Sequence, residues 1–192
     1  MGEILNPFFG PVQIRVKTYA SGNNPVTGNA ASWTGWTALE YNYQNRDGLV
    51  MEYEGEMEDD VVAGYTAPVQ SVIVGETLNI NVQIKKATLE QVAKFGHPGA
   101  TFDEGATPGT NPDLMTIGGL IFPAEFSVGL QGFAPSGQAL VMFVPKMQAA
   151  ASRSDTFKKG STFVPFNWRA LADTSEAAGS QLARFYEITE SE

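Results

Sequence analysis

Cysteine is absent from the chain and histidine occurs once. Without cysteine there is no disulfide framework and no thiolate to act as nucleophile or metal ligand. The single histidine, His97, lies between Gly96 and Pro98, where a helix-end or solvent-facing residue is expected rather than the base of a Ser, His and Asp constellation. Three phosphate- or acyl-transfer signatures are also missing: G-x-S-x-G, the P-loop and G-x-G-x-x-G. No apolar run approaches the roughly 18 residues needed to cross a bilayer, and the opening MGEILNPFFGPV has no basic start before a long apolar stretch. A soluble chain made in the cytoplasm is the expectation. Charge is scarce and lopsided: charged residues are 17%, against about 25% in typical domains, with 12 Lys and Arg facing 21 Asp and Glu. A net charge of −9 argues against conventional binding to phosphate backbones or anionic lipid.

What is present is apolar and aromatic. Hydrophobic residues make up 43% and aromatics 11%, the composition of a packed protein and not of a disordered acidic one. A chain of 192 residues can bury roughly 70% of its unfolded surface, so one domain spanning 1–192 needs no metal or disulfide staple. Low charge with many aromatics also suits a subunit that buries surface against its own copies.

Period-two alternation dominates the pattern. Val12, Ile14 and Val16 alternate with Gln13, Arg15 and Lys17; Leu39, Tyr41 and Tyr43 with Glu40, Asn42 and Gln44; Leu49, Met51 and Tyr53 with Val50, Glu52 and Glu54. The turn chemistry of Asn45, Arg46, Asp47 and Gly48 then predicts a hairpin over 36–57. A second hairpin is predicted from the run 70–74, a turn at Gly75 and Glu76, and the alternation of Leu78, Ile80, Val82 and Ile84 with Asn79, Asn81, Gln83 and Lys85. The period then changes. Thr88 with Gln91 reads as a capping box, Leu89, Val92 and Ala93 as an apolar helix face, and Glu90 with Lys94 as an i,i+4 pair, ended by Gly96 to Gly99. Further strands are expected near 114–122, 125–131, 138–144, 162–170 and 181–189, about nine to eleven in all with one helix. Long loops are expected at about 21–35 and 96–113. The fold class is mainly β: a β-sandwich or partly closed barrel of antiparallel strands with one flanking α-helix.

Three constellations bear on function. Asp59 with Asp60, and Asp103 with Glu104, lack the oxygen-ligand spacing of a calcium loop and read as solvated turns, so no metal or cofactor is expected. Glu52, Glu54, Glu56 and Glu58 project from one strand face, either as an exposed face partly paired with Arg15 and Lys17 or as a surface made negative for a purpose. A row along one strand is not the pair of carboxylates across a cleft that glycoside hydrolysis requires. Trp33 and Trp36 are read first as core or subunit-contact anchors, with a sugar-stacking platform as the alternative.

Two stretches resemble phage tail tube proteins: Gly75-Glu76-Thr77-Leu78-Asn79-Ile80-Asn81-Val82-Gln83-Ile84 running into Thr88-Leu89-Glu90-Gln91, and Phe166-Asn167-Trp168-Arg169-Ala170-Leu171 with Ala178-Gly179-Ser180-Gln181-Leu182. With the strand order, the resemblance spans 12–188. It implies a non-enzymatic virion protein of the long-tailed, siphophage type. Six copies would form a ring whose inner strands join into one barrel, and rings would stack into a tube through which DNA passes without specific binding. Tail tip and terminator proteins are the further partners it implies, and the virion tail the location. On that resemblance Glu52, Glu54 and Glu56 are lumen-facing candidates, and Phe8, Phe9, Trp33 and Trp36 candidates for contacts between subunits or rings. The alternatives are an inner tube protein of a contractile injection or secretion system and a carbohydrate-binding β-sandwich.

Overall fold

A computed structural model of the chain describes residues 3–4, 9–40, 49–60, 70–105, 113–119, 122–150 and 163–188. In chain order these form β1 (Glu3–Ile4), β2 (Phe9–Thr18), β3 (Val26–Thr27), β4 (Ala30–Ala31), β5 (Thr37–Leu39), β6 (Leu49–Asp60) and β7 (Gln70–Lys85). Then come α1 (Leu89–Gln91) with a π-helical turn (Val92–Gly96), β8 (Ala100–Asp103), β9 (Leu114–Ile117), β10 (Glu125–Phe133), β11 (Ala139–Ala149), β12 (Phe163–Ala170) and β13 (Arg184–Ile188).

Nine strands make one antiparallel sheet in the order β1-β6-β7-β12-β11-β10-β2-β5, with β13 also paired to β11. The sheet folds over itself at β11, which runs beside β10 on one edge but changes partner on the other. Ala139–Phe143 pairs with β13, whereas Met147–Ala149 pairs with β12. Pro145 lies in the gap between these partners, where its missing N–H leaves no ladder bond unmade. Opposite it the register slips by one residue between Phe126 and Val128. The single β10 residue opposite Pro145 and Lys146, Ser127, is fully buried and donates its hydroxyl to the Pro145 carbonyl at 2.7 Å. A bulge of this kind sharpens twist and lets one strand serve two layers.

The inner faces of the two layers meet in one core. Ile14, Val16, Val128, Leu130 and Met142 come from β2, β10 and β11; Met51, Leu78, Ile80, Val82, Phe166 and Trp168 come from β6, β7 and β12. The period-two spacing of these residues puts every one of them on the same side of its strand. α1 and its π turn pack on the flank: Trp168 Nε1 donates to the Phe95 carbonyl at 2.7 Å, and the Phe95 and Phe126 rings meet edge to face at 5.3 Å. At the border between layers, Lys85 N donates to the Glu40 carbonyl at 2.5 Å. Among the described residues no strand pairing joins β5 to β7, so the barrel stays open. The architecture is therefore the antiparallel, mainly β arrangement with one short flanking helix that the alternation predicts.

The helix forms as its capping box dictates, with Gln91 N bonded to Thr88 Oγ1 at 3.2 Å and Thr88 N to Gln91 Oε1 at 3.1 Å. Lys94 and Glu90 pair at 2.5 Å. Both predicted hairpins differ. Thr37–Leu39 pairs with β2, with Leu39 opposite Ile14, while β6 pairs with β7; the expected turn at 45–48 lies outside the described residues. Gly75 and Glu76 do not turn, because Gln70–Lys85 is one continuous strand. The register of β6 and β7 slips there, Glu56 facing Gly75 and Met57 facing Ile73, so Val74 is the extra residue of a bulge. A glycine beside a bulge satisfies the same backbone preference as a glycine in a turn. The two expected loops also hold structure: 21–35 contains the β3–β4 ribbon, turned at Gly28 with φ of +63°, and 96–113 contains β8, which pairs with β9. These ribbons and the two short strands β1 and β5 carry the described strand total to thirteen.

Candidate functional site: an acidic open sheet face

Because Leu49, Met51 and Tyr53 turn toward the core, the alternate residues of β6 turn away from it. Glu52, Glu54, Glu56 and Glu58 thus share the outward face, spaced about 6.7 Å apart along the strand. Glu52 is half-buried and the other three are exposed. The register extends this face across β7 and β12: Glu52 faces Asn79, which faces Arg169; Val50 faces Asn81, which faces Asn167; Glu54 faces Thr77. Glu56 lies over Gly75, whose missing side chain leaves room for it. Among the described residues the ion pairs are Lys94 with Glu90, Lys146 with Glu125 and Arg184 with Glu176, so none neutralises this row. Arg15 and Lys17, considered as partners for it, belong to the other layer, on β2. There Arg15 bonds Gln131 at 2.8 Å and covers the Trp33 ring at 4.6 Å.

The border of the acidic face is open. On the edge of β6 away from β7, β1 pairs only with Glu52 and Tyr53, and no described strand lies beside Glu54 to Asp60. Unpaired N–H and C=O groups along such an edge are a template for another chain. Beyond Gly55 the β6–β7 pair continues as a two-stranded arm, with Met57, Ile73, Val72 and Val74 between 47% and 65% exposed. Beside the arm's base is a cleft of about 570 Å³ lined by Met51, Leu78, Met142, Leu182 and Phe185. Its polar groups are Arg169, Gln181 and a phenol–carboxylate pair, Tyr53 Oη donating to Glu76 Oε1 at 2.5 Å. That bond holds the Tyr53 phenol above its ordinary pKa, which is the reverse of activation for proton abstraction.

Trp33 and Trp36 lie on the opposite layer, on the outer face of β10 and β11. Trp33 Nε1 donates to Gln131 Oε1 at 2.7 Å, and the two indoles meet edge to face at 5.3 Å. Gly129 makes this possible: a Cβ there would stand 2.6 Å from Trp33 Cη2 and nearer still to Cζ3. With Arg15 stacked on Trp33 and Phe143 edge-on to Trp36 at 6.2 Å, both rings are engaged within the chain. Phe9 is paired by register with Phe133, and Phe8 lies outside the described residues. His97 Nδ1 accepts from Gly99 N at 3.1 Å and pins the turn after the helix. Among the described residues no three His, Asp or Glu side chains converge as metal ligands would.

The sequence reading did not single out Asn79, Asn81, Gln83 and Asn167, although the alternation that marks Leu78 to Ile84 as core also marks them as the other face. It missed Asp173 as well, which is buried to 3% exposure and accepts from Ser175 N at 3.0 Å, Ser175 Oγ at 2.7 Å and Tyr19 Oη at 3.1 Å. Burial alone would raise this carboxyl; the Ser175 and Tyr19 bonds and the Lys146 charge outweigh burial and hold it below the usual carboxylate value. Neither a scan against protein-family models nor a search of curated proteins finds a match to the chain.

Proposed function

We propose that the chain is a structural subunit that assembles into hexameric rings stacking into a tail tube, a conduit through which DNA leaves a virion. The observation that carries this reading is the face of β6, β7 and β12, acidic along β6 and amide-lined along β7 and β12 with Arg169 and Lys85 at its far margins, free of ion pairs among the described residues and ending in an unpaired strand edge. A conduit must let a polyphosphate slide. A basic wall would hold it through counterion release, whereas Glu52, Glu54 and Glu56 repel it. Screening confines that repulsion to about 8 Å at physiological salt, so it acts only where the duplex nears the wall. Asn79, Asn81 and Asn167 offer short neutral groups that carry no net charge to trap it. Pairing the open β6 edge with a neighbouring copy would satisfy its backbone groups and continue the acidic face around a ring. No catalytic role is assigned.

Negative-stain microscopy of purified protein, seeded with preformed tube fragments, should show rings and tubes with a central hole. Protein that stays monomeric under seeding overturns the reading. In assembled particles, Glu52→Lys, Glu54→Lys and Glu56→Lys together should preserve tubes but slow DNA ejection; unchanged ejection kinetics would remove the luminal role of this face.

A further inference from the structure

The strand β7 joins two ends of opposite character. At its start the arm carries Glu58 on one face and Asp59 on the other, neither in an ion pair among the described residues, around exposed Met57, Val72 and Ile73. At its finish Lys85 and Lys86 are both exposed, and neither side chain has a partner among the described residues. Glu90, four residues beyond Lys86, is already neutralised by Lys94, and Leu89 beside it is 44% exposed. Lys86 also has φ of +53°, the one non-glycine residue with positive φ among those described. A lysine thus occupies a corner where glycine would be unstrained.

We propose that copies of this chain dock head to tail along β7, the acidic, apolar arm of one against the Lys85, Lys86 and Leu89 corner of the next. This rests on the tube reading above and names the surfaces that would join one ring to another. Two different patches in contact make a heterologous interface, which yields open stacks instead of a two-fold dimer when its rotation does not close. Charge complementarity fixes the polarity, since arm against arm or corner against corner sets like charges together. Exposed apolar residues lie at both ends, at Met57, Val72 and Ile73 and at Leu89, and supply the area to be buried. The strand also sets a length. Val72 and Lys85 are thirteen steps apart on β7, roughly 43 Å at about 3.3 Å per residue. With the strand tilted 35–45° as in a barrel, the axial repeat falls between roughly 30 Å and 35 Å.

The test uses the full chain with two charge-reversed variants, Lys85→Glu/Lys86→Glu and Glu58→Lys/Asp59→Lys, and their combination. Native mass spectrometry reads ring formation, negative-stain microscopy reads tube length and repeat, and circular dichroism checks the fold. Exposed ion pairs are individually weak, but two per subunit recur around a ring, so each variant should shorten mean tube length by about tenfold or more. Rings should persist in Lys85→Glu/Lys86→Glu, which lies off the open β6 edge, and the combined variant should recover long tubes. Wild-type tube lengths in Lys85→Glu/Lys86→Glu, or no recovery on combination, would overturn head-to-tail docking while leaving the ring reading intact. Absence of rings in the unaltered protein would overturn the tube reading itself.

Discussion

Replacing Gly129 with alanine puts a methyl group into the space that Trp33 occupies. Ordinary carbon–carbon contacts lie near 3.5–4.0 Å, and the new Cβ would stand 2.6 Å from Trp33 Cη2. The indole must therefore retreat by roughly 1.5 Å to bring its nearest carbon to such a distance, because β10 is held by β2 and β11 on either side and cannot. That retreat stretches the Trp33 Nε1 to Gln131 bond, worth about 1 kcal/mol, loosens the edge contact with Trp36, worth about 0.5–1.5 kcal/mol, and lifts the ring from Arg15, worth about 0.5–1 kcal/mol. Partial loss of the three gives a destabilisation of about 2 kcal/mol, within the usual 1–3 kcal/mol for overpacking. For a chain of this size it corresponds to a fall in Tm of about 4–8 °C. Urea unfolding followed by indole fluorescence measures it directly, and near-UV dichroism reports the altered packing of Trp33 on Trp36. Trp33→Ala should absorb the effect, so that Gly129→Ala in that background costs almost nothing. A loss below about 0.5 kcal/mol in the wild-type background would refute the reasoning, since the Trp33 ring on the outer face of β10 would then be too loosely held to feel a methyl group.

Thr88→Ala removes one half of the capping box and should lower stability by about 1 kcal/mol, measured by chemical denaturation, with Thr88→Ser retaining most of it. Asp173 titrates below its ordinary value in the folded chain, so its contribution is complete above about pH 4, the unfolded value, and is lost as pH falls through the lower folded value. Comparing pH–stability curves of wild type and Asp173→Asn should show the acid-limb slope reduced in the variant. Lys86→Gly relieves the left-handed strain and should raise the stability of the isolated subunit by about 0.5–1 kcal/mol, while shortening tubes if Lys86 takes part in stacking.

Where local pattern and tertiary need coincide, the sequence was readable. The alternation of Leu78, Ile80, Val82 and Ile84 depends only on which side of a strand meets the core, and all four are buried. Thr88 and Gln91 satisfy each other's backbone within one turn, so that start needed no distant partner. Pairing was less readable, because which strand lies beside which depends on residues far apart in the chain. Gly75 serves a turn and a bulge equally well, and only the run of β6 beside it, Glu56 against Gly75 and then Met57 against Ile73, selects the bulge.

The candidate site divides along the same line. Spacing alone puts Glu52, Glu54, Glu56 and Glu58 on one face, because a strand repeats every two residues whatever surrounds it. That this face stays open and continues through Asn79, Asn81 and Asn167 was decided by the folding of the sheet at Pro145 and Ser127 and by the register it imposes. The exclusion of thiol chemistry, the acidic balance and the β-rich class follow from composition and periodicity. The partners of Trp33, the open edge of β6 and the opposite charges at the two ends of β7 follow only from long-range packing, since contacts across about a hundred residues, such as Trp33 with Gln131, leave no trace in any local run of sequence.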